Sequence, residues 1–419
     1  MESLGNALHM LVQEPSVWLC LLTAAGILVY ASLRARALDR LHADAAGFAA
    51  DGSATHATHG TLTTWFLQMH GYHMQQSAHA AHSGSGTAYY GSQSQAIELS
   101  AAVLFPVVSS VALILLFYFF GALSWLLQLI TLFGTTIALF YLFMPYLDSA
   151  MIAARVWKPL HTWLAGALVL LTILGWVLSG HWMLNNLLGA SLCVFFVSFV
   201  RLPNLKVGSA LLLGLFCYDI FWVFFSKHLF GKNVMLEIAT QEASNPIATM
   251  ADALHLPINP VRMLPLPSKL MFPVGFRVDA AHGFVLLGLG DIVVPAIFLD
   301  LMMVVDMFGS AARRERDRDR ASPASRFSTL YARGVAGYVA GVVLSFVFNV
   351  LFASPQPALL YIVPCIVVPT LLTALSRKEL KSMWSMNEAD ASGSRPYVSI
   401  DTVSATSGSD SEAVQHIAP

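Results

Sequence analysis

The sequence predicts an all-α polytopic membrane protein with about nine transmembrane helices. Three observations carry that prediction. Of 419 residues, 56% are hydrophobic and only 11% are charged, against about a quarter charged in a soluble domain. Nine stretches reach the ~20 apolar residues that a helix needs to cross the hydrocarbon core. None shows the short alternating pattern of a barrel strand, and only helices or closed barrels satisfy their own backbone in lipid. The formal net charge of -1 gives no indication of a nucleic-acid partner.

The nine stretches are 16–33, 101–120, 124–144, 161–179, 183–200, 207–226, 281–304, 330–352 and 356–375. The first has no basic segment before it and no small-x-small site after it, so it reads as a retained span and not as a signal peptide. It defines a first unit, residues 1–40, with a lumenal N-terminus. Residues 41–97 form a cytosolic loop rich in His, Ala, Ser and Gly. That loop has little to bury and reads as low-complexity chain. The next four spans fill 98–206, and the last four fill 207–376 around a lumenal loop at 227–280 with six prolines from Pro246 to Pro273. Residues 377–419 read as a Ser-rich, acidic, disordered cytosolic tail whose Ser-Asp and Ser-Glu steps suit phosphorylation.

Basic residues set the orientation. With the N-terminus lumenal, 18 of the 23 Lys and Arg fall in the cytosol, including Arg34, Arg36, Arg155, Arg201, Arg333 and Arg377. Lys227, Lys232, Arg262, Lys269 and Arg277 remain outside, as the positive-inside rule requires. The run Arg313 to Arg320 reads as a solvated loop, with contact to anionic lipid as the weaker alternative. Cys20, Cys193, Cys217 and Cys365 all fall in apolar runs and read as buried thiols, not as a disulfide framework. The 41–97 loop holds three His-x-x-His pairs: His56 with His59, His70 with His73, and His79 with His82. Imidazoles three apart can face one metal ion. Without carboxylate or Cys partners nearby, the stronger reading is a polar insert, and no metal site is assigned.

Two aspartates stand out in this apolar background. Asp219 lies in Leu211–Phe225 and Asp291 in Phe284–Phe298, and an ionisable residue inside a span is a functional candidate by default. Counted along antiparallel helices, with Asp291 about ten residues into its span, both carboxylates sit at ~10–15 Å depth. If the segments pack together, the two cannot both ionise cheaply and share one proton, the arrangement by which aspartic proteases activate water. Gly288 and Gly290 remove side chains beside Asp291 where a partner backbone can approach, and Pro295 deletes the helical bond to the Asp291 carbonyl. Tyr218 points to a different face from Asp219 and reads as a packing or substrate-side hydroxyl. A proton-coupled transporter is the competing class for a buried carboxylate pair.

Tyr218-Asp219, then Gly288-Leu-Gly-Asp291, then Pro357-Ala-Leu359 together resemble the motifs of the signal peptide peptidase branch of presenilin-type GxGD intramembrane aspartyl proteases. His181–Gly189, Lys269–Pro273 and Leu289–Phe298 resemble further segments of that branch, and the likeness covers about residues 101–376. The resemblance implies a protease that cleaves within transmembrane helices, without metal or organic cofactor. Its implied partners are the bilayer and transmembrane substrates, namely leftover signal peptides and type II membrane segments, with self-association left open. It implies Asp219 and Asp291 as the catalytic pair, Tyr218, Gly288 and Gly290 as motif neighbours, and Pro357, Ala358 and Leu359 as the element that shapes the site. Lys269, Leu270, Met271, Phe272 and Pro273 are expected beside the cleft, pairing with an unwound substrate by strand addition. On that expectation Met271→Pro impairs cleavage and spares folding. The endoplasmic reticulum is the implied membrane. The ending Gln415–Pro419 lacks a dilysine signal, and Tyr397–Ile400 fits a tyrosine-based sorting pattern, so a protease of the Golgi or endosomes is the alternative.

Overall fold

The computed structural model describes residues 14–50, 95–153, 158–232, 234–240, 243–245, 248, 255, 261–274, 283–316, 329–352 and 356–384. The three His-x-x-His pairs, much of the lumenal loop and the Ser-rich tail lie outside these residues. Eight long helices carry the fold: α1 (Pro15–Ala50), α2 (Leu99–Ala153), α3 (Lys158–Ser179), α4 (Trp182–Phe199), α5 (Leu205–Ile220), α6 (Gly290–Arg316), α7 (Leu330–Phe352) and α8 (Leu359–Ser376). Seven helices among the described residues are long and apolar enough to cross a membrane. One of them, Leu99–Leu147, is 49 residues long, or about 74 Å at helical rise, more than twice the hydrocarbon thickness. It breaks at Phe119, where φ is −119° and ψ is 21°, so α2 holds the second and third predicted spans. The remaining predicted span falls on α6.

The helix starts follow local chemistry. His181 Nδ1 caps α4 by accepting from Met183 N at 3.2 Å, and Asn204 Oδ1 caps α5 by accepting from Val207 N at 2.9 Å, each satisfying one orphan amide of a first turn. Beyond Ile220, α5 continues through a π-helical turn, Phe221–Phe225, into Ser226–Phe230, and ends at Gly231 with φ 72°. Of the four cysteines, all free, Cys20 and Cys193 are buried as expected, whereas Cys217 faces outward from α5.

The fold is not purely helical. The span predicted from residue 281 opens as a strand. Lys269–Pro273 (β1) and Phe284–Gly288 (β2) form an antiparallel hairpin in the register Lys269 to Gly288, Met271 to Leu286 and Pro273 to Phe284. Two two-residue ladders accompany it. Gln95–Ala96 runs parallel to Val200–Arg201, and Ala243–Ser244 runs antiparallel to Met263–Leu264. Apolar composition alone does not separate a helix from a buried strand, which is why Phe284-Val-Leu-Leu-Gly288 reads as membrane helix in the sequence.

Helices α1, α4, α5, α6, α7 and α8 share one core, centred on Leu28, Cys193, Leu212, Ile292, Phe298, Met302, Tyr338 and Ile366. Within it α7 and α8 touch backbone to backbone. A Cβ on Gly337 would stand 2.0 Å from the Cys365 carbonyl oxygen, and one on Gly341 would stand 2.6 Å from Ile362 Cα, the small-residue seam by which membrane helices approach closely. This seam fixes where α8 starts.

A buried ion-pair cluster also ties α1, the segment just beyond α4 and α6 together. Arg36 of α1 donates from Nε to Asp300 Oδ1 at 3.0 Å and from Nη2 to Oδ2 at 2.5 Å. Arg201, just beyond α4, reaches the same Oδ2 from Nη1 at 2.8 Å. All three residues are under a tenth exposed. Nearby, Arg377 pairs with Asp306 at 3.1 Å and Arg333 bonds Thr373 Oγ1 at 2.5 Å. Removing one partner of such a buried set costs ~3–5 kcal/mol because the remaining charges stay buried. Asp300→Ala is therefore expected to lower stability by about that amount, read as a loss of thermal midpoint in detergent, while the conservative Arg201→Lys costs less.

Candidate active site

Asp219 and Asp291 reach each other by different routes. Asp219 sits in the last turn of α5 before the π segment and is 2% exposed. Its Oδ2 accepts the backbone N–H of Leu359 at 3.1 Å, and Leu359 is the first residue of α8. The first four N–H groups of a helix have no internal acceptor, and a carboxylate there also meets the positive end of the helix dipole. Asp291 lies in the first turn of α6, not about ten residues into a helix as the sequence suggests. Its carboxylate takes the N–H of Gly288 and is within coulombic reach of Asp219. The difference in element need not separate the two carboxylates along the axis, because a strand advances about twice as far per residue as a helix. The five residues of β2 cover ~16 Å, similar to the stretch from Asp219 to the end of its helix at Phe230.

The neighbours divide into contacts that the sequence anticipates and contacts that it does not. A Cβ on Gly288 would stand 3.1 Å from Asp291 Oδ2, whereas one on Gly290 would meet nothing within 4 Å. Only the first glycine therefore has a reason inside the protein. Tyr218 packs its ring 6.4 Å from that of Trp222, on a face distinct from the carboxylate. The buried indole of Trp222 donates to Ser110 Oγ at 3.0 Å, which anchors the π turn after Asp219 against α2; such turns recur at functional sites. Pro357 and Ala358 precede α8, with Ala358 at its N-cap, so Pro357-Ala-Leu359 presents the amide that Asp219 accepts. Pro295 is inside α6, one turn after Asp291. Among the described residues no group of three or more His, Cys, Asp or Glu comes together that could hold a metal ion.

Lys269–Pro273 does form a strand, but its edge is not open. In an antiparallel pair, alternate residues turn their N–H and C=O toward and away from the partner. Leu270 and Phe272 face β2, while Lys269, Met271 and Pro273 face away. Asn185 Nδ2 donates to Lys269 O at 3.0 Å and Asn186 Nδ2 to Met271 O at 2.8 Å. Asn186 Oδ1 accepts from Met271 N at 2.8 Å, and Ser16 Oγ donates to Pro273 O at 2.5 Å. Strand addition at Met271 is thereby blocked, and Met271→Pro would break a contact of the fold. The other edge of the hairpin, at Phe284, Leu286 and Gly288, points away from β1 and leads to Asp291. Sequence reasoning missed Ser16, and it placed Asn185 and Asn186 in the resembling segment His181–Gly189 without assigning them a contact. It also missed Asp300, a third aspartate inside a predicted span, which is matched by the Arg36 and Arg201 guanidiniums.

Residues 91–390 match the family model described as Signal peptide peptidase. Signal peptide peptidase-like 1 of Arabidopsis thaliana is 41% identical over 310 residues, covering 69% of this chain and 82% of the relative. Signal peptide peptidase-like 1 of Oryza sativa subsp. japonica is 38% identical over 320 residues, covering 72% and 84%. The chain belongs to the signal peptide peptidase family. The human signal peptide peptidase is more distant, at 31% identity over 217 residues, 51% of this chain and 46% of the relative. No solved structure matches. Family membership makes the chain an intramembrane aspartic protease and sets aside the transporter reading. The 3.1 Å clearance at Gly288 gives a direct expectation. Gly288→Ala should cut peptide turnover at least ~10-fold by displacing Asp291, and Gly290→Ala should cost less, both measured on purified protein normalised for folded amount.

Proposed function

We propose that Asp219 and Asp291 hydrolyse peptide bonds within transmembrane segments laid along the outer edge of β2. The observation that carries the reading is the meeting of two carboxylates from different helices within coulombic reach, Asp219 taking a backbone N–H at the start of α8 and Asp291 one at the end of β2. With one proton shared by the pair, the ionised aspartate takes a proton from water as the water oxygen bonds to the scissile carbonyl carbon. The protonated aspartate donates to the carbonyl oxygen, giving a neutral tetrahedral diol. The roles then reverse. One diol hydroxyl returns its proton, the C–N bond breaks, and the departing nitrogen is protonated by the other carboxyl. Water and the pair suffice for this chemistry.

A helical peptide bond is shielded by its own turn, so the substrate has to unwind, and in lipid its freed backbone groups need partners. The N–H and C=O groups of Phe284 and Leu286 supply them by strand addition, and the edge ends at Gly288, beside Asp291. The substrates that fit are apolar segments able to extend, in keeping with leftover signal peptides and type II membrane segments. The basic cluster supports the orientation. Arg36, Arg201 and Arg377 pair with Asp300 and Asp306 and Arg333 bonds Thr373, along α6 toward the end away from Asp291. Placing that end in the cytosol puts the N-terminus and the hairpin toward the lumen, in the membrane of the endoplasmic reticulum or a later secretory compartment.

Two measurements on the purified full chain with a mass-tagged transmembrane peptide test this reading. Wild type should cleave, and Asp219→Asn and Asp291→Asn should each lose ~10²–10⁴-fold or more, the usual scale of a general acid or base. Cleavage surviving either change would exclude the shared-proton pair. Separately, Leu286→Pro removes an outward-pointing N–H that β1 does not use, a placement proline tolerates on a sheet edge. The protein should fold and turnover should fall about 5-fold or more, the worth of one net hydrogen bond; unchanged turnover would dispose of strand addition at this edge.

A further inference from the structure

The hairpin is held from the side opposite its open edge by one stripe of α4. Trp182, Asn185, Asn186 and Gly189 recur at the spacing that lines one helix face, and each meets the hairpin region. The Trp182 ring lies 5.9 Å from that of Phe272, and a Cβ on Gly189 would stand 3.2 Å from the Leu289 side chain. Asn186 gives Met271 both bonds that a residue on a neighbouring strand would give, at 2.8 Å each. Asn185 takes Lys269 O at 3.0 Å. Both asparagines are buried, at 0% and 8% exposure.

This arrangement does more than fill an edge. An isolated two-stranded hairpin is marginally stable, and the apolar side chains on both faces of β1 and β2 leave its register weakly specified. Its position is therefore imposed from outside, by polar groups on a rigid helix. We propose that Asn185 and Asn186 are specificity-determining positioning residues. By fixing the register of β1, and through it that of β2, they set which substrate peptide bond arrives at Asp219 and Asp291. The inference rests on the strand-addition reading above. Register errors between the two strands come in steps of two residues, because a step of one sets backbone N–H and C=O groups that point toward the partner strand opposite groups that point away. Loss of the amides thus leads to cleavage at bonds displaced by two.

The test compares product termini by mass spectrometry for wild type, Asn186→Ala and Asn185→Ala, using full-length protein in detergent and the same transmembrane peptide. In Asn186→Ala, which removes two bonds, cleavage at the main wild-type bond should fall about 25-fold relative to bonds two residues away, about 5-fold for each net hydrogen bond. Asn185→Ala, which removes a single bond, should show a smaller shift in the same direction. A purely structural role lowers the folded yield and total turnover but leaves the termini where they were, so unchanged termini overturn the proposal. If Asn186→Ala does not fold, Asn185→Ala decides by the same criterion. No cleavage by wild type would instead defeat the protease reading, and indifference to Leu286→Pro would defeat strand addition, so the three failures are distinguishable.

Discussion

Non-helical backbone at membrane depth must be satisfied from within the protein, and the rest of this structure follows from that constraint. The two carboxylates are held by amides that only a helix start or a strand end can offer: Leu359 N–H for Asp219 and Gly288 N–H for Asp291. Placing those amides inside the bilayer means interrupting the chain there, which exposes further peptide groups to lipid at a cost of several kcal/mol each. The hairpin absorbs part of that exposure by pairing β1 with β2. The side chains of Ser16, Asn185 and Asn186 absorb the edge that remains. Among the described residues the outer edge of β2 is left over, the edge on which strand addition is proposed.

The surrounding helices serve this interruption more than they serve each other. The glycine seam between α7 and α8 lets α8 come close enough for its first amide to reach Asp219. The ion pairs of Arg36 and Arg201 with Asp300 pin α6 against α1 and α4 at a second level along its axis. They hold α6, whose first turn carries Asp291, at a fixed height relative to the rest of the core. Polar contacts of this kind contribute modestly to stability in membranes, but they are directional. Apolar packing against lipid and against protein is nearly equivalent, so direction is what these contacts add.

Much of the site was legible in the sequence. An aspartate in an apolar run is an anomaly at any depth, and Asp219, Asp291 and the glycine beside Asp291 announce themselves. Less legible was the element that carries them. Phe284-Val-Leu-Leu-Gly288 is apolar enough for either a helix or a buried strand, and its length continues smoothly into α6. Asp300 escaped notice because its partners, Arg36 and Arg201, lie far away in the chain and read as loop charges that mark orientation. Lys269–Pro273 was recognised as lying near the site, yet its edge could be assigned only after Asn186 was seen to occupy it.

Composition and periodicity by themselves determined a polytopic helical membrane protein, the positions of its spans to within a few residues except where the span from residue 281 opens as a strand, and the two carboxylates proposed as a pair. Those features rest on transfer energies from water to lipid, which are local and additive along the chain. Only the tertiary structure decided that Asp291 opens a helix after a strand, that the amide of Leu359 meets Asp219, and which edge of the hairpin is open. Each of these depends on pairing between residues distant in sequence, where hydrogen-bond geometry, not hydrophobicity, selects the partner.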